Sequence, residues 1–153
     1  MIDYKMLQKQ VEALTGDCPY LISNLANTAA LIWNYMENIN WAGFYELRGD
    51  QLILGPFQGK PACVQIPEGS GVCGTAVQEK MVKRVENVHT FPGHIACDSA
   101  SASEIVVPLH KSGEIWGVLD IDSPEIARFQ EEDQQGLQSV CQAIESFLET
   151  SRP

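Results

Sequence analysis

Five cysteines are the first chemically capable residues in this chain of 153: Cys18, Cys63, Cys73, Cys97 and Cys141. An odd number argues against a structural disulfide framework. The spacings C-x9-C and C-x23-C match no zinc motif, and no C-x2-C pair occurs, so no metal is expected. Redox or nucleophilic chemistry is the stronger reading, with plain core packing as the alternative. Cys141 falls on a helical apolar stripe and reads as inert core, and Cys18 sits beside Pro19 in a turn between helices. That leaves Cys63, Cys73 and Cys97 as the places for a reactive thiol. A thiol of pKa near 8.5 is only about 3% thiolate at pH 7, and lowering it by two units raises that to roughly three quarters. Asp98 and the acidity of the chain work against such a shift at Cys97, and His94 is its nearest cation.

Carboxylates and aromatic residues form the second candidate set. In a strand over 114–122, alternation places Ile115, Gly117, Leu119 and Ile121 toward a core and Trp116, Val118, Asp120 and Asp122 on the other face. Two carboxylates among apolar neighbours suit either a solvated sheet surface or the floor of a pocket for an amine. Trp41 and Tyr45 likewise share a face. They read either as core or as one wall of a cage for a small amphipathic molecule. Residues 69–74, Gly-Ser-Gly-Val-Cys-Gly, match the dinucleotide pattern only formally, because no parallel βαβ unit surrounds them. They read as a glycine turn entering a helix near Thr75, either to bind a carboxylate on free amides or simply to supply glycine backbone angles.

The elements that must position these groups follow from hydrophobic period. Tyr4, Leu7, Val11 and Leu14 recur at helical spacing before Gly16, and a second helix spans 21–36. The period becomes two at Trp41, giving a hairpin over 41–47 and 51–54. Short strands are expected at 63–66 and 82–85, then a hairpin of 104–109 and 114–122 around Lys111-Ser112-Gly113. A last helix over 130–150 carries Leu137, Val140, Cys141, Ile144, Phe147 and Leu148 on one face. The long stretch 86–103, holding His89, His94 and Cys97, reads as a lid or site loop. Helices followed by hairpins and a final helix predict one α+β domain over 1–153, an antiparallel sheet packed by helices.

Composition limits the partners. Ten basic residues against twenty acidic ones, a formal charge of −10, exclude a phosphate-binding surface and with it nucleic acid. The same charge suits a cationic ligand group or plain solubility. No apolar run reaches the roughly 18 residues of a membrane span, and the N-terminus lacks the layout of a signal peptide. A cytoplasmic protein with no membrane association is expected.

The stretches Asn40-Trp41-Ala42-Gly43-Phe44-Tyr45, Gly55-Pro56-Phe57-Gln58-Gly59-Lys60, Cys63-Val64-Gln65-Ile66-Pro67, Gly71-Val72-Cys73-Gly74-Thr75-Ala76, Gly93-His94-Ile95-Ala96-Cys97-Asp98 and Leu119-Asp120-Ile121-Asp122-Ser123 resemble the GAF-domain family, and within it the free methionine-(R)-sulfoxide reductases. The likeness runs from about Asn40 to Phe147. It implies a six-stranded antiparallel sheet with helices on one side and a small pocket on the other. It also implies that Cys97 attacks the sulfoxide sulfur of free methionine (R)-sulfoxide and becomes a sulfenic acid. Cys63 or Cys73 then resolves this to a disulfide that thioredoxin reduces, with no cofactor. By the same likeness Glu104, Asp120 and Asp122 hold the substrate ammonium and supply a proton, and Trp41 and Tyr45 enclose its side chain. GAF domains often pair through helices, so a homodimer is compatible with the resemblance. The alternative is a stand-alone GAF module that senses a small ligand without catalysis.

Overall fold

The switch of hydrophobic period near residue 40 is the switch from helix to sheet in the computed structural model, which describes residues 2–94 and 100–153. The elements are α1 (Tyr4–Thr15), α2 (Leu21–Tyr35), β1 (Trp41–Arg48), β2 (Gln51–Gly59), β3 (Gln65–Pro67), α3 (Gly71–Glu79), β4 (Lys83–Val85), a 3-10 turn (Val88–Thr90), β5 (Ser103–Lys111), β6 (Glu114–Ser123) and α4 (Glu131–Thr150). Local chemistry sets several boundaries. The Asp3 carboxylate accepts from the Met6 amide to open α1. Gln130 and Asp133 form a reciprocal capping box at α4, whose first turn also carries Glu131 and Glu132 at the positive end of the helix dipole. Ser112 and Gly113, with φ of 53° and 81°, turn the β5–β6 hairpin.

The strands form one antiparallel sheet in the order β3-β2-β1-β6-β5-β4, so β1 and β6 are central. Helices α1, α2 and α4 cover one face, where Leu7, Val11, Ile32, Phe44, Ile105, Leu119, Ile121, Leu137, Ile144 and Phe147 are buried together. Truncating a fully buried ring such as Phe44 there costs about 3–5 kcal/mol. The other face holds Trp41, Tyr45, Val106 and Val118, packed by Val72, Ala76 and Val77 of α3. Among the described residues no helix is long and apolar enough to cross a membrane.

Four local expectations are corrected. Helix α3 lies on the pocket side, so the helices do not all share one face. It begins at Gly71, not near Thr75, because Gly69 and Gly71, at φ of 87° and 63°, complete the turn early. Cys63 precedes β3, which starts at Gln65. Along β6 the predicted alternation holds from Gly117 to Asp122 and inverts before it. A register shift opposite Leu109 and His110 sends Trp116 toward the helix-covered core and Ile115 toward the pocket face, as a bulge does when it adds a residue on one strand.

Candidate functional site

Antiparallel pairing decides which side chains meet, because residues opposite one another project from the same face. Asp122 is opposite Trp41 on β1 and Glu104 on β5, and Asp120 is opposite Gly43 and Val106. Tyr45 pairs with Val118. Three adjacent central strands therefore bring Trp41, Tyr45, Glu104, Asp120 and Asp122 to one patch. Gly43 is needed in its midst, since a Cβ there would lie 2.3 Å from that of Phe57. Helix α3 closes over the patch and adds Cys73. It approaches so near that a Cβ on Gly74 would lie 2.5 Å from the Pro67 carbonyl oxygen.

The result is a small cavity of about 40 Å³ bounded by these groups together with Ala62, Ser70, His94 and Ser101. At roughly 10–15 Å³ per water site, that volume suits a small molecule and not a peptide segment. Its walls differ in character. Trp41 stacks on Tyr45 at 5.9 Å and on Phe57 at 5.2 Å between ring centroids. Both polar ends of the aromatic wall are tied down, the indole N–H donating to the Lys60 carbonyl at 3.1 Å and the Tyr45 hydroxyl to the Cys63 carbonyl at 2.9 Å. The opposite wall is acidic, with Glu104 and Asp120 only 8% and 6% exposed.

Burial is the first cause that raises the pKa of Glu104, Asp120 and Asp122, and for Glu104 and Asp122 repulsion by neighbouring carboxylates adds to it. Taken as full carboxylates, Asp120 Oδ1 and Asp122 Oδ1 are buried with no hydrogen-bond partner. Glu104 is in hydrogen-bonding contact with both aspartates, so a proton held in this trio relieves the repulsion and satisfies an acceptor. The trio thus holds negative charge for a cation and a proton to give.

The thiols separate by setting. The Cys73 thiol lies 3.9 Å from Glu104 Oε2, and desolvation together with the three carboxyls pushes its pKa well above the ordinary thiol value. It is a poor thiolate at neutral pH. Cys18, Cys73 and Cys141 are free thiols, whereas Cys63, part-exposed beside the pocket, is disulfide-bonded. Burial also raises the Cys141 pKa, in keeping with inert core. Cys97 lies outside the described residues. His94 lines the cavity, but desolvation and then His89 lower its pKa. Both effects disfavour the cationic form that its place in the sequence suggests.

Sequence reasoning missed one support. The Ser101 hydroxyl donates to Asp122 Oδ2 at 3.4 Å and accepts from the Asn40 side-chain amide at 3.2 Å. Ser101 is buried where the loop rejoins the sheet. Nothing in its own spacing signals this, although Asn40 stands next to Trp41 in the sequence.

The family model for the GAF domain matches residues 20–148. The Escherichia coli free methionine-R-sulfoxide reductase is 53% identical over 148 residues, 97% of this chain and 90% of that one. The solved structure of the reduced form of fRMsr from Staphylococcus aureus has a TM-score of 0.93 at 50% identity, covering 97% of this chain and 96% of its own. The Neisseria meningitidis free methionine-R-sulfoxide reductase, solved in complex with its substrate, has a TM-score of 0.93 at 42% identity, covering 97% and 90%. With near-complete alignment on sequence and on fold, the chain belongs to the GAF-domain family, in its free methionine-(R)-sulfoxide reductase branch.

Proposed function

We propose that this protein reduces free methionine (R)-sulfoxide to methionine with its own thiols, in a reducing cytoplasm. The observation that carries the reading is the carboxyl trio, with Glu104 and Asp120 buried, facing an aromatic wall in a cavity of small-molecule size. An α-ammonium meets Glu104, Asp120 and Asp122, and the methylsulfinyl end lies against Trp41 and Tyr45. The Cys97 thiolate attacks the sulfoxide sulfur while the sulfoxide oxygen takes a proton from the trio. The oxygen then passes to the Cys97 sulfur, methionine leaves, and Cys97 is a sulfenic acid. The Cys63 thiol attacks that sulfur and water departs, leaving a disulfide. Two thiols of thioredoxin restore both cysteines and take up the oxidation. Cys63 is favoured over Cys73 as the resolving thiol on two grounds. It is disulfide-bonded in the structure, and the acidic surroundings of Cys73 oppose its thiolate.

The test is turnover. Thioredoxin, its reductase and NADPH are mixed with the protein and free methionine (R)-sulfoxide, and methionine is measured. Release of many equivalents of methionine per protein is expected. Saturable binding without methionine release would instead make the protein a small-ligand sensor.

A further inference from the structure

One member of the cavity has no role in holding an ammonium group. A thiol is a poor partner for a compact, strongly hydrated cation, yet Cys73, 4% exposed, is aimed among carboxylates. One ligand atom each of Cys73, Glu104 and Asp120 lie within 4.8 Å of one another. We infer that this cluster is a binding site for a single soft divalent cation of the zinc class, held by Cys73 Sγ and by one carboxylate oxygen each of Glu104 and Asp120.

The Cys73–Glu104 edge is close to that of an occupied site. Zinc–sulfur and zinc–oxygen bonds in a tetrahedron place sulfur and oxygen about 3.6 Å apart, and Cys73 Sγ stands 3.9 Å from Glu104 Oε2. A shift of a few tenths of an ångström brings that pair to ligand spacing, and the Asp120 oxygen lies within 4.8 Å of both. With the trio fully ionised, Asp120 Oδ1 is buried with no hydrogen-bond partner among the described residues, and a bound cation completes it in place of the retained proton. One thiolate with two carboxylates selects zinc, cadmium or cobalt over magnesium and calcium, which take oxygen alone. A fourth position stays open for water. The formal charge of −10 draws cations toward the cavity. A metal seated there occupies the carboxylates to which the reductase reading assigns the ammonium. Metal binding itself needs no turnover and does not depend on that reading.

The experiment uses the oxidised protein, in which Cys63 is disulfide-bonded and the free thiols among the described residues are Cys18, Cys73 and Cys141. Zinc chloride is titrated calorimetrically, and cobalt chloride is added separately to seek a thiolate-to-cobalt charge-transfer band. One equivalent of zinc and the band are expected. Cys73→Ala removes the band and weakens zinc by on the order of 100-fold or more, since even outer-shell partners of a metal account for 10–100-fold. Asp120→Asn weakens zinc while keeping the band, and it decides the matter should Cys73→Ala fail to fold by circular dichroism. Cys18→Ser leaves binding unchanged. No binding, binding unaffected by both cavity variants, or loss of binding in Cys18→Ser overturns the inference. Turnover of methionine sulfoxide without zinc binding overturns this site alone. Zinc binding by a protein that does not turn over supports the site and removes the reductase function alone.

Discussion

Glu104→Gln probes the acidic trio most directly, because Glu104 contacts both aspartates. Ligand atoms of Glu104 and Asp120 lie within 4.8 Å. Two full charges at that separation repel by about 3.5 kcal/mol at an effective dielectric of about 20. The folded protein avoids this by retaining protons that the unfolded chain releases. Each retained proton makes stability fall by about 1.4 kcal/mol per pH unit as pH climbs from the ordinary carboxylate range toward the raised folded value. For this chain length that is about 3–6 °C in unfolding midpoint per pH unit. The stabilisation from these groups is thus fully present in acid and lost toward neutral and alkaline pH. Glutamine keeps the shape and removes one charge. The variant is expected to unfold above the wild type at pH 8, by about 3–6 °C for each pH unit over which the folded carboxyl kept its proton, with a flatter pH dependence between pH 5 and 8. Its kcat/KM for free methionine (R)-sulfoxide is expected to fall by on the order of 100-fold. Calorimetric scans across that range, with kinetics on the same samples, give both numbers. A lower midpoint at pH 8 with an unchanged slope would mean that the trio is not strained by like charge.

Other expectations concern the thiols, the substrate and α3. Cys97→Ser abolishes turnover while the circular dichroism and midpoint stay near wild type, and sustained methionine release would remove the nucleophile assignment. One equivalent of substrate added to reduced protein yields a disulfide from Cys97 to Cys63, read by peptide mapping. A bridge to Cys18 or Cys141 would refute the resolving step. N-acetylation turns the substrate ammonium into an amide and leaves buried carboxylates without a cation, so rates drop about a thousandfold or more; equal rates on both substrates would count against the ammonium site. Gly74→Ala drives a methyl into the Pro67 carbonyl, and a loss of about 1–3 kcal/mol is expected in denaturant unfolding. An unchanged midpoint would show that α3 can retreat without cost.

The sequence alone determined the elements that depend on period: the helices around Leu7, Leu25 and Ile144, the two hairpins, and the sharing of one face by Asp120 with Asp122 and by Trp41 with Tyr45. Period is a property of one strand or one helix, and each of these statements concerns one element. Register, layer and burial are relations between elements, and only the tertiary structure decided them. Alternation cannot foresee the shift opposite Leu109 that turns Trp116 around, because a bulge is fixed by the partner strand. Nor could it choose between a solvated sheet surface and a pocket floor. Helix α3 packing onto that face buried Glu104 and Asp120, which raised their pKa values and that of Cys73. His94 reads as a cation in the chain, and in the fold desolvation and His89 lower its pKa. Ser101 and Asn40 meet across 61 residues to hold Asp122. Charge state in this site follows from desolvation, and desolvation exists only once the layers have closed.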